Sequence, residues 1–105
     1  MEWLAPWYSI ADNAAQVQAM ESELRRELGR GHPLFGVPVR AVARREDRDD
    51  VLFILEDGTG RVAVVHLTWT HRPPERPPWP ATDVFPSWEE WVAEGMRDDH
   101  RDPRE

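Results

Sequence analysis

"VLFILEDGTGRVAVVHLTW", residues 51–69, decides the reading of this chain. Two runs of branched and aromatic residues flank a short Asp-Gly-Thr-Gly stretch. Such residues fit the pleated surface of a strand, and glycine supplies the positive φ that a tight loop needs. The pattern predicts a hairpin with strands over 51–55 and 61–69. "VLFIL" is apolar at every position, which suits a central strand covered on both faces. Upstream, "VPVRAVARR" (37–45) alternates, and the turn sequence "EDRDD" separates it from the hairpin. Three strands on short connections make an antiparallel meander. Pairing Glu56 with Arg61 sets the register. Leu52, Ile54, Ala63 and Val65 then share a face with Ala41 and Ala43. Val42, Phe53, Leu55, Val62, Val64 and His66 take the other face.

That meander needs covers on both sides. Ile10, Ala14, Val17, Met20, Leu24 and Leu28 recur at helical spacing, which predicts a helix over about residues 10–28. Ser9 and Asp12 approximate a capping box at its start, and Gly29 is a stop at its end. This helix packs on one face of the sheet. Residues 70–86 carry six prolines and no periodicity, and are expected to lie as a strap across the other face, anchored by Trp79. "SWEEWVAEGM" then begins a short helix, with Ser87 and Glu90 as its capping box. The expected fold is α+β, in the order α-β-β-β-α: a three-stranded antiparallel meander, the N-terminal helix on one face, and the Pro/Trp-rich loop plus the short C-terminal helix on the other. Residues 1–97 form one domain and 98–105 a charged, disordered tail.

Composition narrows the function. A chain of 105 residues is one domain with one modest core. The net charge of −7 argues against nucleic acid as a partner, because phosphate binding needs a basic face. It suits a binder of a basic partner. The chain has no cysteine, which removes disulfides, thiolate nucleophiles and sulfur-ligated zinc. "MEWLAPWYS" lacks the basic start and apolar run of a signal peptide, and no stretch reaches the length of a membrane span. A cytoplasmic protein is expected. All thirteen basic residues are arginine, as the codon bias of a GC-rich bacterial genome would produce.

The residues with chemistry gather around the end of the hairpin. His66, His71 and Glu75 are ligand types for a divalent metal. A five-residue step along a strand spans about 17 Å and reverses the side-chain face, so no shared metal and no cofactor are expected. The three serines, Ser9, Ser22 and Ser87, read as two helix caps and a mid-helix residue, none in the strand-turn-helix setting of a nucleophile elbow. Asp49-Asp50 reads as a hairpin turn and Glu89-Glu90 as the acidic first turn of a helix. No catalytic residue is assigned; His66 and Glu75 are the candidates for an enzymatic reading. Trp69, His71, Arg72, Glu75 and Trp79 are the candidates for a binding rim. There are six tryptophans, and Trp3 and Trp7 precede the first helix without belonging to a periodic face. They either fold back on the core or meet a partner.

"GHPLFGVPVRAVARREDRDDVLFIL", "HLTW" with "PPE" and "PPWP", and "SWEEWV" together resemble a family of small uncharacterised bacterial proteins. The resemblance covers about residues 24–93. It implies that the His66–Pro80 stretch is a signature, and it supplies no catalytic residues. The expected function is contact without catalysis: a cytoplasmic interaction protein with a protein partner or a homodimer, such as an immunity- or inhibitor-type binder of a basic partner. The alternative is a small hydrolase or metal-dependent enzyme using His66, Glu75 and His71.

Overall fold

The structure is a computed structural model and describes residues 3–69 and 79–101. It is α+β, built on one antiparallel sheet of five strands in sequential order: β1 (Trp7–Ser9), β2 (Val39–Arg45), β3 (Asp50–Leu55), β4 (Val62–His66) and β5 (Thr82–Phe85). The expected meander is its centre, β2–β4. The two edge strands were not anticipated. β1 lies where a helix start was expected, and β5 lies inside the expected strap. Three or four residues are too few to show a period, so neither strand announces itself in sequence.

Helix α1 (Ala14–Glu27) starts four residues later than its apolar pattern. The cap is Asn13, whose side chain accepts from the Gln16 N–H at 3.0 Å, and not Ser9 with Asp12. Ser9 is held in β1 opposite Ala43, and the Ile10 N–H donates to the Val42 carbonyl, so the backbone there is committed to the sheet. Ile10 still reaches the core, which is why it fitted the helical stripe.

The hairpin register differs by one residue from the sequence expectation. Ile54 pairs with Val62, and the Leu55 N–H donates to the Arg61 carbonyl, leaving Glu56 inside a five-residue loop. Two local groups enforce this. The Glu56 N–H turns to the Pro38 carbonyl on the other side of β3. Asp57 binds the Thr59 N–H, the Thr59 hydroxyl and Arg61, and closes the loop around Gly58 and Gly60, both at positive φ. The faces of β3 are therefore exchanged relative to its neighbours. Val51, Phe53 and Leu55 join Ala41, Ala63, Val65 and Leu67 beneath α1, where Met20, Leu24 and Leu28 pack. Leu52 and Ile54 join Val62 and Val64 on the opposite face. A bulge at Val42 turns both Val42 and Ala43 to that second face.

Among the described residues of the expected strap, Phe85 packs on the second face and Trp79 does not anchor it. Trp79 is 52% exposed, and residues 70–78 lie outside the described residues. The cover comes from the two ends of the chain. A C-terminal helical segment runs through α2 (Trp88–Trp91), a π-helical stretch (Val92–Met96) and α3 (Arg97–Arg101). Ser87 caps it as expected, accepting from the Glu90 N–H. Trp3, Trp7, Trp88 and Trp91 meet there as edge-on and tilted ring pairs, with centroids 5.3 to 6.0 Å apart. Such pairs each add about 0.5–1.5 kcal/mol beyond burial. Trp3 and Trp7 thus fold back on the core. The stretch expected to be a free tail from residue 98 begins as a helical turn: Asp99 accepts from the Trp7 indole at 2.8 Å and pairs with Arg45.

Candidate functional site

Asp50 opens β3 and His66 closes β4, and the register sets them directly opposite each other. The His66 Nδ1 lies 2.7 Å from the Asp50 carboxylate, so Nδ1–H donates and Nε2 is left for other work. Arg48 approaches the second oxygen of Asp50 at 3.6 Å. Asp50 is nearly buried, whereas the His66 side chain is 43% exposed. A buried carboxylate thus holds a solvent-facing imidazole in one orientation. Both line a cleft of about 310 Å³ with Arg48, Trp79, Thr82 and Asp83. A second crevice, of about 280 Å³, shares Arg48, Asp50, Val64 and Asp83 with the first and continues along the C-terminal helix to Trp91, Glu94 and Asp98. The two form one groove across the second face of the sheet. Its walls carry more carboxylates than guanidinium groups.

Two buried polar side chains shape the approach to this groove. Glu27 is 1% exposed, and its carboxylate accepts from the Thr68 N–H at 2.9 and 3.0 Å and from the Trp69 N–H at 2.9 Å. Trp69 sits at φ 54°, a left-handed conformation that is uncommon for a bulky residue. The two charge-assisted bonds hold it there. Burial pushes the Glu27 carboxyl up to about 6, helped by its hydrogen bond to Glu23 and opposed by the two backbone N–H groups. His32 is also buried. Its Nδ1 accepts from the Leu34 N–H at 3.0 Å, so Nε2 carries the proton and donates to the Pro80 carbonyl at 3.0 Å. Glu27 therefore anchors the chain where it leaves β4, and His32 anchors it where it approaches β5.

The structure brings together two of the residues singled out from sequence, His66 and Trp79. Trp69 is half-buried against the core beneath α1, on the other side of the sheet, and does not reach the cleft. His71, Arg72 and Glu75 lie outside the described residues. Asp50 was read as part of a turn and is instead the partner of His66; the corrected register would have found it. Glu27 and His32 carried no signal, because a glutamate on a helix stripe and a histidine in a loop both read as surface residues. No group of three His, Cys, Asp or Glu among the described residues could hold a metal ion. No helix among them is long and apolar enough to cross a membrane. Comparison of the chain with protein-family models, curated protein sequences and solved structures gives no match.

Proposed function

We propose that the protein is a binding module that takes a basic segment of a partner protein into the groove across β3, β4 and β5. The observation that carries this reading is Trp79. It stands 52% exposed beside a cleft that Asp50, His66 and Asp83 also line. An exposed indole costs solvation, and indoles dominate binding surfaces because they offer a large rigid area. Carboxylates beside it favour a cationic partner and speed its approach. The chain's charge of −7 has the matching sign. The test is titration with acetyl-(Gly-Arg)₃-amide, followed by the Trp79 indole and His66 ring resonances. Trp79→Ala and Asp83→Lys should each weaken binding about tenfold. Trp79→Ala should leave unfolding within about 1 kcal/mol of the parent, since its ring is already half in water. Equal binding by the parent, both variants and the matching glutamate peptide would overturn the reading.

The His66–Asp50 pair supports a second reading, proton transfer in the same cleft. A carboxylate that orients an imidazole through Nδ1 leaves Nε2 as a general base for water. Hydrolysis of a panel of chromogenic esters that is abolished by His66→Asn, in a variant that keeps its peptide affinity, would put this reading first.

A further inference from the structure

The sheet leaves a stretch of backbone edge open beside α1. β1 pairs with β2 only at residues 43–45, and the Ile10 N–H extends that contact to the Val42 carbonyl. Residues 39–41 therefore have no strand on their outer side among the described residues. The register fixes which main-chain groups face outward there. The Glu56 N–H donates to the Pro38 carbonyl, so Pro38 and Arg40 turn their groups to β3, and Val39 and Ala41 turn theirs away. The Ala41 N–H is taken at 3.0 Å by Glu21, which reaches over from α1. The Val39 N–H and carbonyl have no such partner among the described residues. Bare edge of this kind is a template for another chain.

Val39 lines a groove of about 580 Å³. Leu24 and Leu28 of α1 line it too, with Phe35, Val37 and Pro38 from the connection between α1 and β2. Phe35 is 49% exposed. Arg25 is the one charged residue of the lining; it is exposed and has no ion-pair partner among the described residues. Glu21, one turn before it, is committed to the Ala41 N–H. The groove thus offers apolar surface, open main-chain groups and an unmatched positive charge. It lies on the α1 face, with β3 and β4 between β2 and β5, and is separate from the cleft at His66. We propose that it is a second docking site, which takes the C-terminal end of a partner protein. Apolar residues of that end lie against Val39 as an added strand, and the terminal carboxylate meets Arg25.

Each part of the lining selects this occupant. Strand addition uses the Val39 N–H and carbonyl, and the leucines and Phe35 receive apolar side chains. A strand that ran on past Val39 would meet the Glu21 carboxylate on Ala41 and then β1, so a chain end fits and a through-running segment does not. Arg25 distinguishes the two kinds of end, since a guanidinium pairs with a carboxylate and repels an amino group. The net charge of −7 does not oppose this, because no carboxylate lines the groove and exposed charges beyond about 8 Å are largely screened at physiological salt. A fatty acid would match the leucines and Arg25 but would leave the Val39 groups unused. A symmetric contact with a second copy would set groove against groove and Arg25 toward Arg25, which fills neither.

The site is independent of the cleft, and its failure would leave the reading there untouched. The full chain, labelled with ¹⁵N, is titrated with acetyl-Gly-Ser-Val-Leu-Val as the free acid, with the same peptide as its C-terminal amide, and with octanoate. The Val39 amide resonance should move saturably with the free acid, which should bind at least about tenfold tighter than the amide. Arg25→Gln should abolish that preference and keep the parent affinity for the amide. Its side chain is exposed, so this variant keeps the fold. A Val39 resonance that stays still with the free acid would overturn the site. Equal affinity of the parent for acid and amide would overturn the chain-end occupant. Octanoate binding as tightly as the free acid would also overturn it, and would give the groove to a small amphiphile.

Discussion

Replacing Glu27 by glutamine tests how a buried carboxylate is kept in this fold. The side chain is 1% exposed and accepts from the Thr68 and Trp69 N–H groups. Its carboxyl is pushed from 4.5 to about 6, first by burial and then by the neighbouring Glu23. At about 1.4 kcal/mol per pH unit, ionised Glu27 is about 2 kcal/mol less favourable in the folded chain than in the unfolded one. The folded value lies above the unfolded one, so the fold holds the proton more tightly. The resulting stabilisation is complete below about pH 4.5 and disappears as pH rises through about 6. Glutamine keeps a carbonyl oxygen for the backbone donors and an N–H for Glu23, but cannot ionise. Glu23 keeps its Arg26 partner in both proteins. Urea unfolding of parent and variant across pH 4.5 to 7.5 cancels the other titrating groups when the two are subtracted. The parent should lose about 1–2 kcal/mol relative to Glu27→Gln on going from the acid to the neutral end. A difference that stays flat, or that moves in favour of glutamate as pH rises, refutes the account of Glu27 as a strained anchor.

Two further outcomes probe the packing around the groove. Gly95→Ala should gain about 1 kcal/mol from helix propensity alone, yet its Cβ would press on the fully buried Trp91 ring. A net loss of about 1–2 kcal/mol is expected, and a stabilised variant would mean that Trp91 has room to move. His32→Ala strands the Leu34 N–H and leaves the Pro80 carbonyl to the Thr82 hydroxyl alone, and should lower stability by about 2–3 kcal/mol in a denaturant melt. A loss below about 1 kcal/mol would show that the bridge from the α1–β2 connection to Pro80 carries little of the fold.

Local sequence was enough to define the central meander, the apolar stripe of α1 and the Ser87 cap. Each is written in a repeating period or a single capping residue, and each is satisfied by near neighbours. The stretch 51–55 announced a strand buried on both faces, and it is one. Which face each of its residues would take was beyond local reading. A register that differs by one residue changes no local preference, and the choice fell to Asp57 closing its loop and Glu56 turning to Pro38. The same single step decided the site, since it sets Asp50 and not Val51 opposite His66. The edge strands β1 and β5 exist only because β2 and β4 present open backbone groups to short segments that have no strand signal of their own. The covering of the second face was also a tertiary decision. Tryptophans from both ends of the chain, more than eighty residues apart, meet over it. Among the described residues their large apolar area supplies most of that cover, and Trp79 stands half in water at the rim of the groove.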